Sequence, residues 1–315
     1  MADHTQNHFY GMKSELFAHF TNGRIAPFYD ERQSPGSIFF VNCNTGVDSL
    51  TYGGSPEMPF ATITYAIAAA VTGRGDLIIV MPGYTETIAT VAGLVVDKAN
   101  LTLLGMGNGD THPIITFNGG GILAGVDLDI DAANVTIENF AFINTEDAAT
   151  GPIDVNAAGC SLLNCSFTDA GADNTVDWIL LDANADNCTI KNCVNNGTST
   201  DGNDSWISVT GACEGLRVIG CYSHGEFDAA NIEFLAAATR FQISNCWLEN
   251  EDAVDVNIEG FAACTGWVDN CMLQVPTDTQ ITHINTMPNA QIFENYGCNQ
   301  PGETGLLILA SGLSA

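Results

Sequence analysis

Hydrophobic and polar residues alternate along the chain in short runs that return at a regular interval. Two places before a recurring Asn or Gly, the residue is apolar in every run, and the intervals are 34 residues at first and then 25 to 28. Alternation with period two predicts a strand with one buried face, and a regular interval of this length predicts a solenoid. The recurring residues, called the ladder positions below, are Gly105, Asn139, Asn164, Asn192, Gly220, Asn245, Asn270 and Asn295.

The residue directly after each ladder position is also of a type that is usually buried. In one straight strand, two positions that lie three residues apart would face opposite sides, so a bend is needed to bury both. Asn and Gly tolerate the left-handed backbone of such a bend. Each coil is therefore predicted to contain a strand, an Asn corner, a second strand and a looser return. The residues after the corners are Met106, Phe140, Cys165, Cys193, Cys221, Cys246, Cys271 and Tyr296.

This layout resembles the right-handed, pectate-lyase-like parallel β-helix family, whose members share stacked Asn corners. The resemblance covers residues 38–300 and implies an all-β, single-stranded parallel β-helix, but no activity. A second stretch, YGGSPEMPFATITYAIAAAV at 52–71, is similar to a segment that opens many such β-helices, notably in phage virion proteins. Its apolar spacing predicts a short capping helix at about 60–72, with Ile63, Ala66, Ile67 and Ala70 on one face.

The recurrent cysteines first raise the alternatives of a metal site, disulfides, a reactive thiol or a structural repeat. Zinc sites need convergent ligands, which single cysteines one coil apart do not provide. The odd number of cysteines, 11, argues against a closed set of disulfides. We expect the column to be buried and packed as small hydrophobic residues, with no metal and no cofactor.

Charge narrows the classes of partner. The chain has 37 acidic and 8 basic residues and a net charge of −29, which disfavours nucleic acid and anionic membranes as partners. No apolar run approaches the roughly 20 residues of a membrane span. The opening sequence lacks the pattern of a secretory signal, so we expect synthesis in a host cytoplasm, where cysteines stay reduced.

The two ends depart from the ladder. Residues 1–37 are predicted to be an anchoring arm because they concentrate aromatic and basic side chains; packing along the solenoid is the alternative. Residues 301–315 form an apolar C-terminal tail. The arm residues expected to dock onto a partner are Phe9, Tyr10, Lys13, Phe17, Phe20, Arg24, Phe28, Tyr29 and Arg32.

Acidic residues supply the remaining candidate chemistry. Asp127, Asp129 and Asp131 alternate with apolar residues, which favours a solvated strand face over a cation site. The acids Glu249, Glu251, Asp252 and Asp255 could provide the carboxylate pair of a glycoside hydrolase, although chance pairs are expected in so acidic a chain. Trp247 and Trp267 are predicted to point outward.

Together, these features predict a non-enzymatic structural protein of a tailed-phage virion. The expected assembly is a homotrimer on the capsid exterior, a cement or decoration protein that binds the major capsid protein through its arm. The trimer is implied by the family resemblance alone. The alternative is a tailspike that binds or depolymerises host glycans, which predicts a groove where acids and aromatic residues converge. A free polysaccharide lyase is the third hypothesis.

Overall fold

The computed structural model describes residues 36–90, 92–118, 128–145, 149–170, 175–197, 203–252, 256–275, 283–285 and 287–299. Their strands form three sheets, in which each strand pairs in parallel with its equivalents in the neighbouring coils. The fold is therefore an all-β parallel solenoid, as the alternation and the regular interval predict.

Sheet 1 consists of the strands that precede the ladder positions, together with the equivalent strands of the first coils. Four of its middle strands have three residues each, because a corner limits each of them on both sides. They are β1 (Ile38–Val41), β2 (Leu77–Val80), β5 (Thr102–Gly105), β8 (Thr136–Glu138), β11 (Ser161–Leu163), β14 (Thr189–Lys191), β17 (Cys213–Glu214), β18 (Arg217–Ile219), β21 (Ala238–Ser244), β24 (Thr265–Asp269) and β27 (Gln291–Phe293).

Sheet 2 consists of the strands that follow the ladder positions, again with the equivalent strand of the first coil. In the strands from Ile114 to Val275 the second residues point inward, and Phe142, Phe167 and Leu248 are fully buried there. These strands are β3 (Thr85–Ile88), β6 (Ile114–Phe117), β9 (Ala141–Asn144), β12 (Ser166–Asp169), β15 (Val194–Asn196), β19 (Tyr222–Gly225), β22 (Trp247–Asn250), β25 (Met272–Val275) and β28 (Tyr296–Asn299).

Sheet 3 is formed by the return segments, which were predicted to be loose. The return is instead an eight-stranded sheet that contains the longest strand, because apolar residues such as Trp178, Trp206 and Ile232 anchor it to the core. Its members are β4 (Leu94–Val96), β7 (Leu128–Ile130), β10 (Ala149–Val155), β13 (Thr175–Leu181), β16 (Asn203–Val209), β20 (Phe227–Phe234), β23 (Val256–Glu259) and β26 (Ile284–Asn285).

Six ladder positions have the left-handed backbone that the sequence predicts. Their side chains form a column with hydrogen bonds between neighbouring coils: Asn192 Nδ2 donates to Asn164 Oδ1 at 3.4 Å, and Asn270 Nδ2 donates to Asn245 Oδ1 at 2.5 Å. Gly220 interrupts the column because it has no side chain. The φ angles are 64° at Asn139, 53° at Asn164, 53° at Asn192, 65° at Gly220, 56° at Asn245 and 50° at Asn270.

The prediction of a corner is wrong at the first and last ladder positions, Gly105 and Asn295. Gly105 lies in extended backbone at the end of β5, and a Cβ there would come within 2.2 Å of the Asn139 carbonyl oxygen. Glycine is needed at that point for close approach rather than for a bend. In the last coil the corner is Glu294, with φ of 56°, and not Asn295. The strand register supports this assignment, because Val268, two residues before the corner Asn270, pairs with Ile292, two residues before Glu294. Phe293, which the ladder predicted to point inward, is exposed.

A second column of corners, which the ladder pattern does not predict, lies at or near the start of the sheet 1 strands. It precedes the ladder by five residues and also has positive φ angles. One member, Arg240, is a residue type that rarely adopts this backbone, and it forms an ion pair with Glu214 of the preceding coil. The column consists of Asn100, Asn134, Gly159, Asn187, Gly215 and Arg240.

A short helix, α1 (Ile63–Ala69), lies at the start of the solenoid and contacts β1, β2 and β4. The Thr62 side chain caps it by accepting a hydrogen bond from the Tyr65 N–H, and Asp48 accepts from Thr62 Oγ1 at 2.8 Å. The predicted apolar face is buried. The helix is shorter than the predicted 60–72 because Phe60 forms a β-bridge with Val41 and Ala70 ends the helix.

The predictions for the two ends of the chain concern residues that lie almost entirely outside the described ones. Only Gly36 and Ser37 of the predicted arm are described, and the 301–315 tail is not. In the portions of the chain that the structure describes, no helix has the length and apolar character needed to cross a membrane.

Candidate functional site

Three aromatic side chains and a methionine form a row on the outer face of sheet 2, called the aromatic strip below. Strand pairing places Tyr222 beside Trp247, Trp247 beside Met272, and Met272 beside Tyr296. Tyr222, Trp247 and Met272 point outward, because each is the first residue of its strand and the second residue is buried, and Tyr296 is in register with them. Trp247 is 44% exposed, Met272 42% and Tyr296 59%, so the row is a continuous apolar strip in contact with solvent.

Two members of this strip touch directly. The ring planes of Tyr222 and Trp247 are inclined at 79°, with centroids 5.3 Å apart, which is an edge-to-face contact. The contact holds the exposed indole in a defined orientation. Trp267 is also exposed, as predicted, but it lies on sheet 1, on the other side of the Asn corner.

A polar row runs beside the aromatic strip, two residues further along the same strands. His224, Glu249 and Gln274 are in register on β19, β22 and β25. Gln274 Nε2 donates to Glu249 Oε1 at 2.8 Å, and the Tyr222 hydroxyl donates to Glu249 Oε2 at 3.4 Å. Glu249 is therefore fixed between its two neighbouring coils.

Glu251 completes the cluster just beyond the end of β22. Its backbone N–H donates to the Gly225 carbonyl at 2.8 Å, which extends the strand register by one residue. Its Oε1 lies 3.1 Å from His224 Nε2. One ligand atom each from His224, Glu249 and Glu251 lies within 4.8 Å of the other two, and no other group of three such residues in the described part of the chain does so.

The structure thus brings together two of the four acids that the sequence singled out. Glu249 and Glu251 converge, whereas the Asp252 N–H is tied to Asn250 Oδ1 and Asp255 lies outside the described residues. His224 was missed as a site residue. Its 25-residue separation from Glu249, equal to one coil, is the signal that could have found it.

Sheet 3 carries a second acidic surface. Asp129 and Asp154 are neighbours on its outer face, and Asn156 Nδ2 donates to both, at 3.0 and 3.2 Å. Burial and the nearby Asp182 raise the pKa of Asp154 to about 6. Asp131 is exposed, in agreement with the predicted solvated face, while Asp127 lies outside the described residues.

A second perturbed carboxylate lies on the same sheet. Burial, and then the charges of Asp177 and Glu259, raise the pKa of Glu233 to about 7. These acids are spread along the sheet, and no three of the described ones converge as the sheet 2 cluster does.

The cysteine column is buried, and its thiols donate hydrogen bonds to nearby backbone carbonyl oxygens. Cys165, Cys246 and Cys271 each donate to the carbonyl oxygen two residues earlier, at 3.3 Å. Hydrogen bonds from neighbouring thiols, together with burial, raise the pKa of Cys193 and Cys221. The cysteines whose side chains are described are all free thiols. Fully buried thiols with raised pKa values are inert packing groups.

The predicted capsid-docking residues cannot be placed on this surface, since Phe9, Tyr10, Lys13, Phe17, Phe20, Arg24, Phe28, Tyr29 and Arg32 all lie outside the described residues.

Comparison with known proteins gives likenesses of structure alone. No family model and no curated protein matches the chain. A rhamnogalacturonan lyase is similar over 82% of this chain and 87% of its own, with 14% identity and a TM-score of 0.46. A GH136 lacto-N-biosidase from Eubacterium ramulus is similar over 87% of this chain and 66% of its own, with 12% identity and a TM-score of 0.48.

Pectate lyase Pel9A is similar over 89% of this chain and 74% of its own, with 16% identity and a TM-score of 0.47. TM-scores below 0.5 at such low identity transfer neither substrate nor activity to this chain. The strand topology by itself makes the chain a parallel β-solenoid.

Proposed function

We propose that the chain binds a neutral glycan on the outer face of sheet 2. The observation that carries the proposal is the strip of half-buried Tyr222 and exposed Trp247, Met272 and Tyr296 beside the polar row of His224, Glu249 and Gln274. Contiguous exposed apolar side chains bordered by polar ones are typical of a binding surface. The glycan alternative predicted from the sequence expects a groove where acids and aromatic residues converge, and the convergence of the two rows supports the proposal.

The two rows offer the two kinds of contact that a sugar makes. The flat faces of Trp247 and Tyr296 can stack on the C–H faces of sugar rings, while the carboxylate of Glu249 and the amide of Gln274 can hydrogen-bond to hydroxyl groups. Both rows follow the solenoid axis, with neighbouring strands about 4.8 Å apart. A linear polysaccharide lying along the axis would meet the same kinds of group on successive coils.

Charge favours a neutral glycan over an acidic one. Glu249 and Glu251 place two carboxylates in the cluster, and the whole chain has a net charge of −29. Among the described residues, neither acid forms an ion pair with Lys or Arg. A polyuronate would be repelled by this surface.

A Trp247→Ala variant tests the proposal. Its affinity for soluble neutral polysaccharides should fall about tenfold, because an aromatic contact contributes about 0.5–1.5 kcal/mol beyond its buried area. The matched control is Trp267→Ala, which removes an exposed indole from sheet 1 and should leave affinity unchanged. Affinity electrophoresis against a panel of polysaccharides, run with metal chelator present, measures both variants.

Equal affinity of the wild type and the Trp247→Ala variant, or an equal loss in the two Trp variants, would contradict the proposal. Oligosaccharides released from a bound polysaccharide would add cleavage to binding. Glu249→Gln and Glu251→Gln would then show which carboxylate acts.

The capsid role stays a prediction, because it depends on the arm at 1–37, of which 36 and 37 alone are described. Deleting residues 1–37 is expected to leave a folded homotrimer that no longer binds capsids. Capsid binding that is unchanged by the deletion would refute the arm hypothesis.

A further inference from the structure

We infer that His224, Glu249 and Glu251 bind a divalent transition-metal ion of the Zn²⁺ class on the outer face of sheet 2. The inference rests on the convergence of an imidazole and two carboxylates from β19 and β22. It does not depend on glycan binding, and its test contains no glycan.

The distances suit a small metal ion. One ligand atom from each of the three residues lies within 4.8 Å of the others, and His224 Nε2 is 3.1 Å from Glu251 Oε1. Two ligands of a tetrahedral ion with bonds of about 2.0–2.1 Å lie about 3.3–3.4 Å apart. His224 and Glu251 are therefore already close to the required separation, and Glu249 needs a small side-chain movement.

The electrostatic surroundings favour a cation. Glu249 and Glu251 place two negative charges close together. Among the described residues, the one ion pair of this cluster joins Glu251 to His224. The nearest positive partner of either carboxylate is thus an imidazole, which is cationic only when protonated. A bound divalent ion would compensate both carboxylates at once.

Glu249 already has the supporting contacts that a metal ligand needs. Gln274 donates to its Oε1 and Tyr222 donates to its Oε2, from the coils on either side. Such contacts orient a carboxylate and leave further lone pairs free for a metal. The backbone hydrogen bond from Glu251 to Gly225 fixes the main chain that carries the third ligand.

The ligand set selects the class of metal. An imidazole nitrogen suits zinc and its neighbours in the transition series, whereas calcium takes six to eight oxygen ligands. Three protein ligands leave one tetrahedral position for water, as in zinc sites that remain open to substrate. The three ligand residues are all partly exposed, so solvent can reach the site.

Isothermal titration of chelator-stripped protein with Zn²⁺ tests the inference. The wild type should bind one ion at this site. His224→Ala and Glu251→Gln should each abolish it, and Gln274→Ala, which removes a supporting contact, should weaken it about tenfold to hundredfold. Glu259→Gln is the matched control, because Glu259 is a surface carboxylate of sheet 3 and its loss should leave binding unchanged.

Thiols are the competing ligands, so the titration is repeated with Co²⁺. Binding by His and carboxylates gives a visible spectrum without a thiolate charge-transfer band, and Cys43→Ser removes the one described cysteine that is not buried. The inference is overturned if Zn²⁺ binding survives His224→Ala and Glu251→Gln, if a thiolate band appears, or if Ca²⁺ displaces Zn²⁺ at equal concentration. Thermal melts of each variant check that the fold is intact.

Discussion

The backbone N–H of Cys271 donates a hydrogen bond to Oδ1 of Asn295, at 2.8 Å. Nδ2 of the same Asn295 donates to the carbonyl oxygen of Val268, also at 2.8 Å. Asn295 follows the last corner, Glu294, and so takes the place that a cysteine takes in earlier coils. The core column thus ends in an amide that joins two neighbouring coils.

Asn295→Ala should lower the free energy of unfolding by about 1–3 kcal/mol. The change removes both hydrogen bonds and leaves the Cys271 N–H and the Val268 carbonyl without this partner near the core. Denaturant unfolding followed by circular dichroism measures the difference. Asn289→Ala is the control, because it removes one exposed hydrogen bond, to Ala262, and should cost less. Equal losses in the two variants would refute this account.

Glu294→Asn should raise the free energy of unfolding by a few tenths to about 1 kcal/mol. Glu294 holds φ at 56°, a region in which Asn is tolerated better than Glu. The residue is exposed, so the change alters little packing. The reverse experiment is Asn192→Ala, at φ of 53°, which should destabilise by about 1–2 kcal/mol. A destabilised Glu294→Asn protein would show that Glu294 has a role beyond the bend.

A thiol reagent applied to the folded protein should label Cys43 long before the buried column. Cys43 is half-buried, whereas Cys193 and Cys221 are buried and their pKa values are raised by thiol hydrogen bonds and burial. Reaction requires the thiolate, so both effects slow it. Mass spectrometry of labelled peptides at pH 8 measures the order, and denaturant should expose the column. Labelling of Cys193 as fast as Cys43 would contradict the prediction.

Raising the pH from about 5 to 8 should lower the melting temperature. Burial raises the pKa of Asp154 to about 6 and of Glu233 to about 7, above the value of about 4 expected for an unfolded carboxyl. A group of this kind stabilises the fold fully below its unfolded pKa, and this stabilisation is lost as pH rises through the folded pKa.

Replacing one of these acids should flatten that pH dependence. Glu233→Gln should lose less melting temperature between pH 5 and 8 than the wild type, while Asp110→Asn, on an exposed turn, should behave as the wild type does. Differential scanning calorimetry at both pH values gives the comparison. A melting temperature that rises with pH would refute the assignment.

The sequence predicts the fold well wherever the alternation of inward-facing and outward-facing residues is clear. Leu162 and Cys165 are both buried around Asn164, and a bend is the one way to achieve this, so the corner follows from three residues. Gly105 fits the same sequence pattern but has a different structural role, since the absence of a side chain lets the Asn139 carbonyl oxygen approach closely. A close approach between coils leaves no periodic trace in the sequence.

The candidate site was predictable in part. His224, Glu249 and Gln274 recur at one-coil intervals, so their common row could be found by counting. Glu251 lies beyond the end of β22, and its contact with His224 depends on side-chain placement that no spacing encodes. The hydrogen bond from Tyr222 to Glu249 is likewise a diagonal contact between neighbouring coils.

The two columns of corners differ by five residues in each coil where both occur, from Asn134 and Asn139 to Arg240 and Asn245. Coil length nevertheless varies from 25 to 28 residues between Asn139 and Asn270. All of this variation must therefore be absorbed outside sheet 1, in sheets 2 and 3 and their connections. Engineered insertions should be accepted in those connections and rejected between the corners. Each coil thus has one segment of constant length, between its two corners, and a remainder whose length varies from coil to coil.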